Sequence, residues 1–319
     1  MTSSRRLLVA AGTLVALLAL AGAGIAYFAN RVVDPADASC GHPSSILGTE
    51  RNAGDHQERE VHFRCEGASL GGTIYLPTSS GRHAAAVWVH GAGEAMRLTW
   101  GGQLLPGLVS AGVVVLSYDK RGVGESEGDC CTSPGRYNLV AADADGAVLA
   151  LRSRDDIDAS RVGFYGVSEA GWVVPLANSR LKEPVAFTAL VSGPTVTTGE
   201  EEVWSNATGE DEPEPLTTEK KAEATRRLEA AGPSGFDPAP YIEQMQTPGL
   251  WLFGGGDKSI PTDRSVAILK RLKAQGKDFT IVVFPAAGHG LVDNVPTAPE
   301  APNALVSWIK QTEKVLKAG

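Results

Sequence analysis

The sequence predicts an α/β fold: a mostly parallel, eight-stranded sheet with helices on both faces and a small helical insertion. Three observations predict it. Apolar runs, such as residues 84–89 (AAAVWV) and 113–118 (VVVLSY, with Ser117 its one small polar residue), have the composition of strands buried on both faces. They alternate with stretches of helical periodicity, the signature of parallel strands joined by crossover helices. Glycine-rich turns close most of the strands, and in such sheets function gathers beyond the carboxyl ends.

The chain has 319 residues, enough for one large domain with an insertion. Hydrophobic residues make up 43% and charged ones 21%, a balance that fills a sizeable core. A net charge of −8 without any basic cluster argues against a nucleic-acid partner.

Residues 1–29 read as a signal peptide or an N-terminal membrane anchor. Arg5 and Arg6 precede an uncharged run over residues 7–29, which as a helix spans roughly 35 Å and reaches across a bilayer core. That length favours an anchor, while Ala21-Gly22-Ala23 offers a cleavage site. The arginines before the run place the N-terminus inside, so the body is expected to be extracytoplasmic, secreted or tethered to the outer face of the membrane. Residues 30–57, rich in Pro, Gly, Ser and Asp without periodicity, read as a linker. The catalytic domain is expected over 58–319.

Four cysteines accord with export. They allow three pairings, and spacing alone does not choose among them. Cys40 with Cys65 would staple the tail to the sheet, leaving Cys130 and Cys131 bridged to each other or free. Their spacing does not suit a zinc site, and neither a metal nor a cofactor is expected.

Residues 58–65 and 71–76 alternate apolar and polar side chains and read as an antiparallel pair. The strand at 84–89 ends in His90-Gly91-Ala92-Gly93, and a helix follows at about 103–111. The strand at 113–118 leads into Asp119-Lys120-Arg121-Gly122. Residues 139–152 read as an amphipathic helix with Asp143 and Asp145 facing outward. A strand at 162–165, a sharp turn at Ser168 and a helix over 172–179 follow. After a strand at 185–191, residues 197–246 break the rhythm. That stretch is acidic and partly helical around 218–231, and reads as a lid. Strands at 249–253 and 279–284 flank a helix over 262–275 with Thr262 as its N-cap. A helix at 301–316 closes the chain.

A serine at the apex of a strand–turn–helix is the context in which Gly166-Val167-Ser168-Glu169-Ala170-Gly171 means a nucleophile elbow. A serine hydroxyl attacks only when a base takes its proton. His289, between two glycines after the last strand, is the candidate base; His42, His56, His62 and His83 lie in early segments without a role. Asp257, reached through three glycines at a strand end, is the candidate acid and precedes His289 in the chain. Asp263 belongs to a helix start, and Asp293 is not at a strand end. The oxyanion needs backbone N–H donors, expected at Glu169 and at Ala92. The Glu169 carboxylate reads as compensation of a helix dipole, and His90 as a turn-shaping side chain.

With these residues assembled, the chain resembles the α/β-hydrolase superfamily, most closely the exported esterase and dienelactone-hydrolase-like branch related to the prolyl oligopeptidase group. The carriers are HGAG at His90, YDKRGVGES at Tyr118, GVSEAG at Gly166, GGGDKSIP at Gly254 and GHG at Gly288. The resemblance implies Ser168 as nucleophile, Asp257 as acid and His289 as base, with 119–126 bracing the loop after its strand. One departure is Ala170, where the pattern has glycine. The expected activity is hydrolysis of a small or medium-sized ester through an acyl-enzyme. An amidase or peptidase would use the same triad, and a non-catalytic binding protein on this scaffold is the reading from another class.

Overall fold

In the computed structural model, residues 40, 43–46, 51–99, 102–132, 135–293 and 295–318 are described. The expected leader or anchor lies outside them, and among the described residues no helix is long and apolar enough to cross a membrane.

The parallel core grows from the buried runs: β5 (His83–Val89), β6 (Val113–Tyr118), β7 (Ile157–Val167), β8 (Thr188–Val191), β9 (Gly249–Gly254) and β10 (Phe279–Phe284). Their order in space is β6-β5-β7-β8-β9-β10, all parallel. An antiparallel wing of β3 (His56–Cys65) and β4 (Ala68–Pro77) joins at β6. The chain steps from β5 to β6 on one side and returns to β7 on the other. That reversal makes the carboxyl end of β5 a topological switch point, where a crevice opens.

Among the described residues, the expected eight strands become ten. The presumed linker supplies β1 (Pro43–Ile46) and β2 (Arg51–Asn52), both antiparallel to β3, and the first residues of β3 itself. These edge strands are too short and polar to show a periodicity; a backbone ladder makes them, not an apolar face. The cysteines pair as Cys40–Cys65 and Cys130–Cys131. The first bridge ties the chain before β1 to the end of β3.

Alternate side chains of each central strand serve two cores. Ala85, Val87 and Val89 pack beneath α2 (Arg136–Arg152), α3 (Ala170–Arg180) and α7 (Thr262–Ala274) through Val148, Val173 and Leu269. Ala86 and Trp88 face α1 (Leu105–Ser110) and α8 (Ala301–Ala318) through Leu108 and Leu305. The first of these helices is shorter than expected, its leading residues forming a 3-10 turn at Gly102–Leu104.

Two further expectations are corrected. Asp143 and Asp145 do not face outward: every residue from Val140 to Val148 is buried, because α2 packs against β3, β5, β7 and α3 at once. Arg121 forms a two-pronged ion pair with Asp143 and donates to Cys65 O, while Arg180 Nε lies 3.4 Å from Asp145 Oδ2. A helix enclosed on all sides carries its charges inward only with such partners. Thr262 is not an N-cap: it lies in the first turn of α7, and its hydroxyl donates to Gly254 O at 2.8 Å.

The insertion forms α4 (Thr198–Thr208), α5 (Thr218–Ala231) and α6 (Ala239–Gln244). Thr197 and Glu200 make a reciprocal capping box at the start of α4. Trp204, Ala224 and Leu228 give the insertion a small core of its own.

Candidate active site

Ser168 sits at φ 52°, a left-handed conformation rare for a residue with a side chain. Three anchors hold it there. Its N–H bonds Val191 O of β8 at 2.9 Å, and its carbonyl accepts from Gly171 N at 2.8 Å as the first bond of the turn into α3. Close packing does the rest. A Cβ on Gly171 would lie 2.5 Å from the Gly193–Pro194 backbone, so only glycine fits. Ala170, by contrast, is fully buried, with its methyl group over Gly166, where a second Cβ would come within 2.6 Å. The missing side chain of Gly166 makes room for the departure from the glycine pattern, and the elbow is intact.

Asp257 and His289 come from the loops after β9 and β10. A Cβ on Gly254 would lie 2.2 Å from Gly288 O, so glycine lets these loops meet backbone to backbone. Gly256 N donates to Ala287 O at 2.8 Å. Asp257 is buried; its Oδ1 accepts from the amides of Ser259 and Ile260 at 2.9 Å, leaving Oδ2 for His289 Nδ1, also at 2.9 Å. A carboxylate only accepts, so Nδ1 carries the proton and Nε2 keeps its lone pair. Burial disfavours the imidazolium, yet the charge and hydrogen bond of Asp257, together with the charges of Glu210 and Asp293, outweigh it and raise the His289 pKa above the ordinary 6.5.

Ser168 and His289 line one cavity of about 160 Å³, together with Ala92, Ser192 and a mostly apolar wall of Val167, Val191, Leu291 and Val292. Asp293 also lines it. Of the rival acids, Asp263 pairs with Lys221 at 2.8 Å and Asp257 takes the Nδ1 bond. A larger cavity of about 460 Å³ opens between β3 and the chain from the end of α2 to β7, at the amino end of the sheet, and none of Ser168, Asp257 or His289 lines it.

His90 is buried and donates through Nε2 to Tyr118 O at 2.5 Å. Burial and the neighbouring Lys120 charge push its pKa down to about 3, so it is a neutral brace for the turn after β5.

Four contributions lie beyond what the sequence predicted. Lys120 and Arg136 both pair with the buried Glu169 carboxylate, which does not cap α3. That carboxylate sits at the N-terminus of α3, where a negative charge is favoured, and the two ion pairs add to that placement. Ser192, itself at φ 49°, donates to His289 O at 2.7 Å and fixes the base loop. From the insertion, Trp204 Nε1 donates to Asp257 O at 3.3 Å, and Thr208 Oγ1 donates to Lys258 O at 2.6 Å. Glu201 of α4 meets Ser259, and burial, with Glu210 adding to it, pushes its carboxyl up to about 7. Each is a single polar residue whose partner lies far away in sequence, and only YDKRG carried any local signal of such a role.

The sequence profile of the prolyl oligopeptidase family matches residues 103–315, two thirds of the chain and all three of Ser168, Asp257 and His289. The chain belongs to the prolyl oligopeptidase family. Like other members of that family, it is an α/β-hydrolase-fold serine hydrolase. No curated protein matches its sequence. Among solved structures it is similar to the Pyrococcus furiosus esterase Pf2001, at 18% identity and a TM-score of 0.61, covering 86% of this chain and 97% of that one. Acetyl xylan esterase 1 from Thermoanaerobacterium sp. JW/SL YS485 follows at 15% identity and 0.60, covering 85% and 88%. The Pyrococcus horikoshii acylaminoacyl peptidase aligns at 17% and 0.55, covering 85% of this chain and 42% of that one. At these identities the likeness is one of fold.

Proposed function

We propose that this prolyl oligopeptidase family member is an exported carboxylesterase for esters with short acyl groups, acting through an acyl-enzyme on Ser168. The observation that carries this reading is the small cavity where Ser168, Ala92 and the Asp257-supported His289 converge. The cavity of about 160 Å³ sets Ser168 against a valine and leucine wall that suits a small apolar acyl group.

His289 Nε2 takes the Ser168 proton as Oγ attacks the carbonyl carbon. The N–H groups of Glu169 and Ala92 receive the oxyanion. The ester C–O bond then breaks, His289 returns the proton to the leaving alkoxide, and water repeats the sequence on the acyl-enzyme. Asp257 holds the imidazole in the required tautomer throughout. Export is supported by the apolar run over 7–29 and by two cysteine pairs, a chemistry that persists in oxidising compartments.

The second reading, an amidase or peptidase with the same triad, is favoured by the family name and by the likeness to an acylaminoacyl peptidase. A panel of matched esters and anilides of increasing acyl length separates the two. Faster turnover of esters, with kcat/KM falling as the acyl chain lengthens, is expected. Faster anilide turnover would replace the esterase reading with the peptidase one.

A further inference from the structure

Lys120 is buried, yet it sits in the signature loop after β6 and not among the triad residues. Its Nζ donates to Gly91 O at 2.9 Å and forms an ion pair with Glu169 Oε2. Both partners belong to the segments that carry the expected oxyanion donors. Gly91 C=O and Ala92 N–H belong to the same planar peptide unit, and Glu169 is the residue whose own N–H follows Ser168. A single ammonium therefore grips the two segments that carry the expected oxyanion donors.

We infer that Lys120 is a positioning residue that presets the oxyanion hole, fixing the spacing of the Ala92 and Glu169 amides and polarising the Gly91–Ala92 peptide toward its N–H end. The inference deepens the esterase reading and rests on its assignment of those two donors. The physical case has two parts. A cation at a carbonyl oxygen favours the resonance form with positive charge on nitrogen, which makes that N–H a stronger donor. Preorganised donors stabilise a transition state because they need not reorient as charge develops. Here the two donors come from loops after different strands, β5 and β7. Among the described hydrogen bonds, Lys120 Nζ is the one side-chain group that bridges those two turns. Arg136 at 3.2 Å from Glu169 Oε1 holds the other carboxylate oxygen, so Glu169 stays oriented toward Lys120.

The test compares wild type, Lys120→Met and the double variant Lys120→Met/Glu169→Gln, the last removing the buried carboxylate that the single change orphans. Active sites are first counted by fluorophosphonate titration, with Ser168→Ala as the blank, and kcat is expressed per active site on an acetyl ester. Both variants are expected to lose about ten- to a hundredfold in kcat and in fluorophosphonate labelling rate. KM should stay within about threefold, and the acid limb of the pH profile should not move. Wild-type kcat per active site in whichever variant folds would overturn the inference, even if its melting temperature falls, because Lys120 would then only hold the structure. Failure of both variants to fold would assign it to the core and overturn the inference equally. Failure of the esterase reading looks different: wild type itself would show no labelling that depends on Ser168.

Discussion

At the scale of single residues, the site depends on which hydrogen bond fixes which proton. Asp257 Oδ2 accepts a hydrogen bond from the Nδ1–H of His289, and the same contact helps to raise the imidazole pKa above 6.5. In the proposed mechanism the neutral imidazole is the base, so kcat/KM is expected to rise with pH through a midpoint above 6.5. Asp257→Asn removes the largest of the influences that raise the pKa and leaves the burial that lowers it. Its acid limb should therefore move down, and kcat should drop by about four orders of magnitude because the wrong tautomer is favoured. A pH–rate profile of both proteins checks the sign; an unmoved limb would mean that Asp257 does not govern His289. The elbow gives a second prediction. Gly171→Ala should lower stability by about 1–3 kcal/mol through overpacking against Gly193–Pro194, whereas Ala170→Gly should cost no more than about 1 kcal/mol. Urea unfolding midpoints decide, and the reverse order would place the indispensable glycine at 170. The convergence of Ser168, Asp257 and His289 could be read from the sequence because each occupies a glycine-flanked strand end. Ser192 and Lys120 could not, since their partners His289 and Gly91 are joined to them only by the folded chain.

Elements show the same division. The central strands and α5 were readable because continuous apolar runs and helical spacing are local patterns. Strands β1 and β2 were not, for they exist by pairing with β3. Helix α2 misled for another reason: Asp143 and Asp145 suggest a wet face, yet the helix is enclosed, and Arg121 and Arg180 meet the charges from other elements. Breaking a buried pair from one side leaves a charge without a partner, so Arg121→Met is expected to destabilise by about 3–5 kcal/mol. Arg121→Met with Asp143→Leu should recover most of that loss, as denaturant unfolding would report. No recovery would mean that Arg121 acts through its bond to Cys65 O and not through the ion pair.

For the whole molecule, the insertion acts as a fixed cover over the acid loop. Trp204 and Thr208 of α4 grip Asp257 O and Lys258 O, and Lys258 Nζ returns a bond to Gly209 O at 2.8 Å. At the base, rings stack from Tyr137 through Phe236 to Tyr241, with Trp172 edge-on, joining the insertion to α2 and α3. The cover brings Glu201 and Glu210 into the electrostatic neighbourhood of His289. Esters whose acyl or alcohol part bears a carboxylate are therefore expected to react more slowly than neutral isosteres above pH 7. Glu201→Gln should narrow that gap by a few fold and weaken its salt dependence; an unchanged ratio would show that the acidic cover does not face substrate. The central claim, that Ser168 is a nucleophile activated by His289 and Asp257, is tested most directly by fluorophosphonate labelling of the purified protein with mass mapping of the adduct. One adduct per chain on the peptide containing Ser168, lost in Ser168→Ala and slowed in Asp257→Asn, is the predicted result. Labelling that survives Ser168→Ala, or none in the wild-type protein, would contradict it.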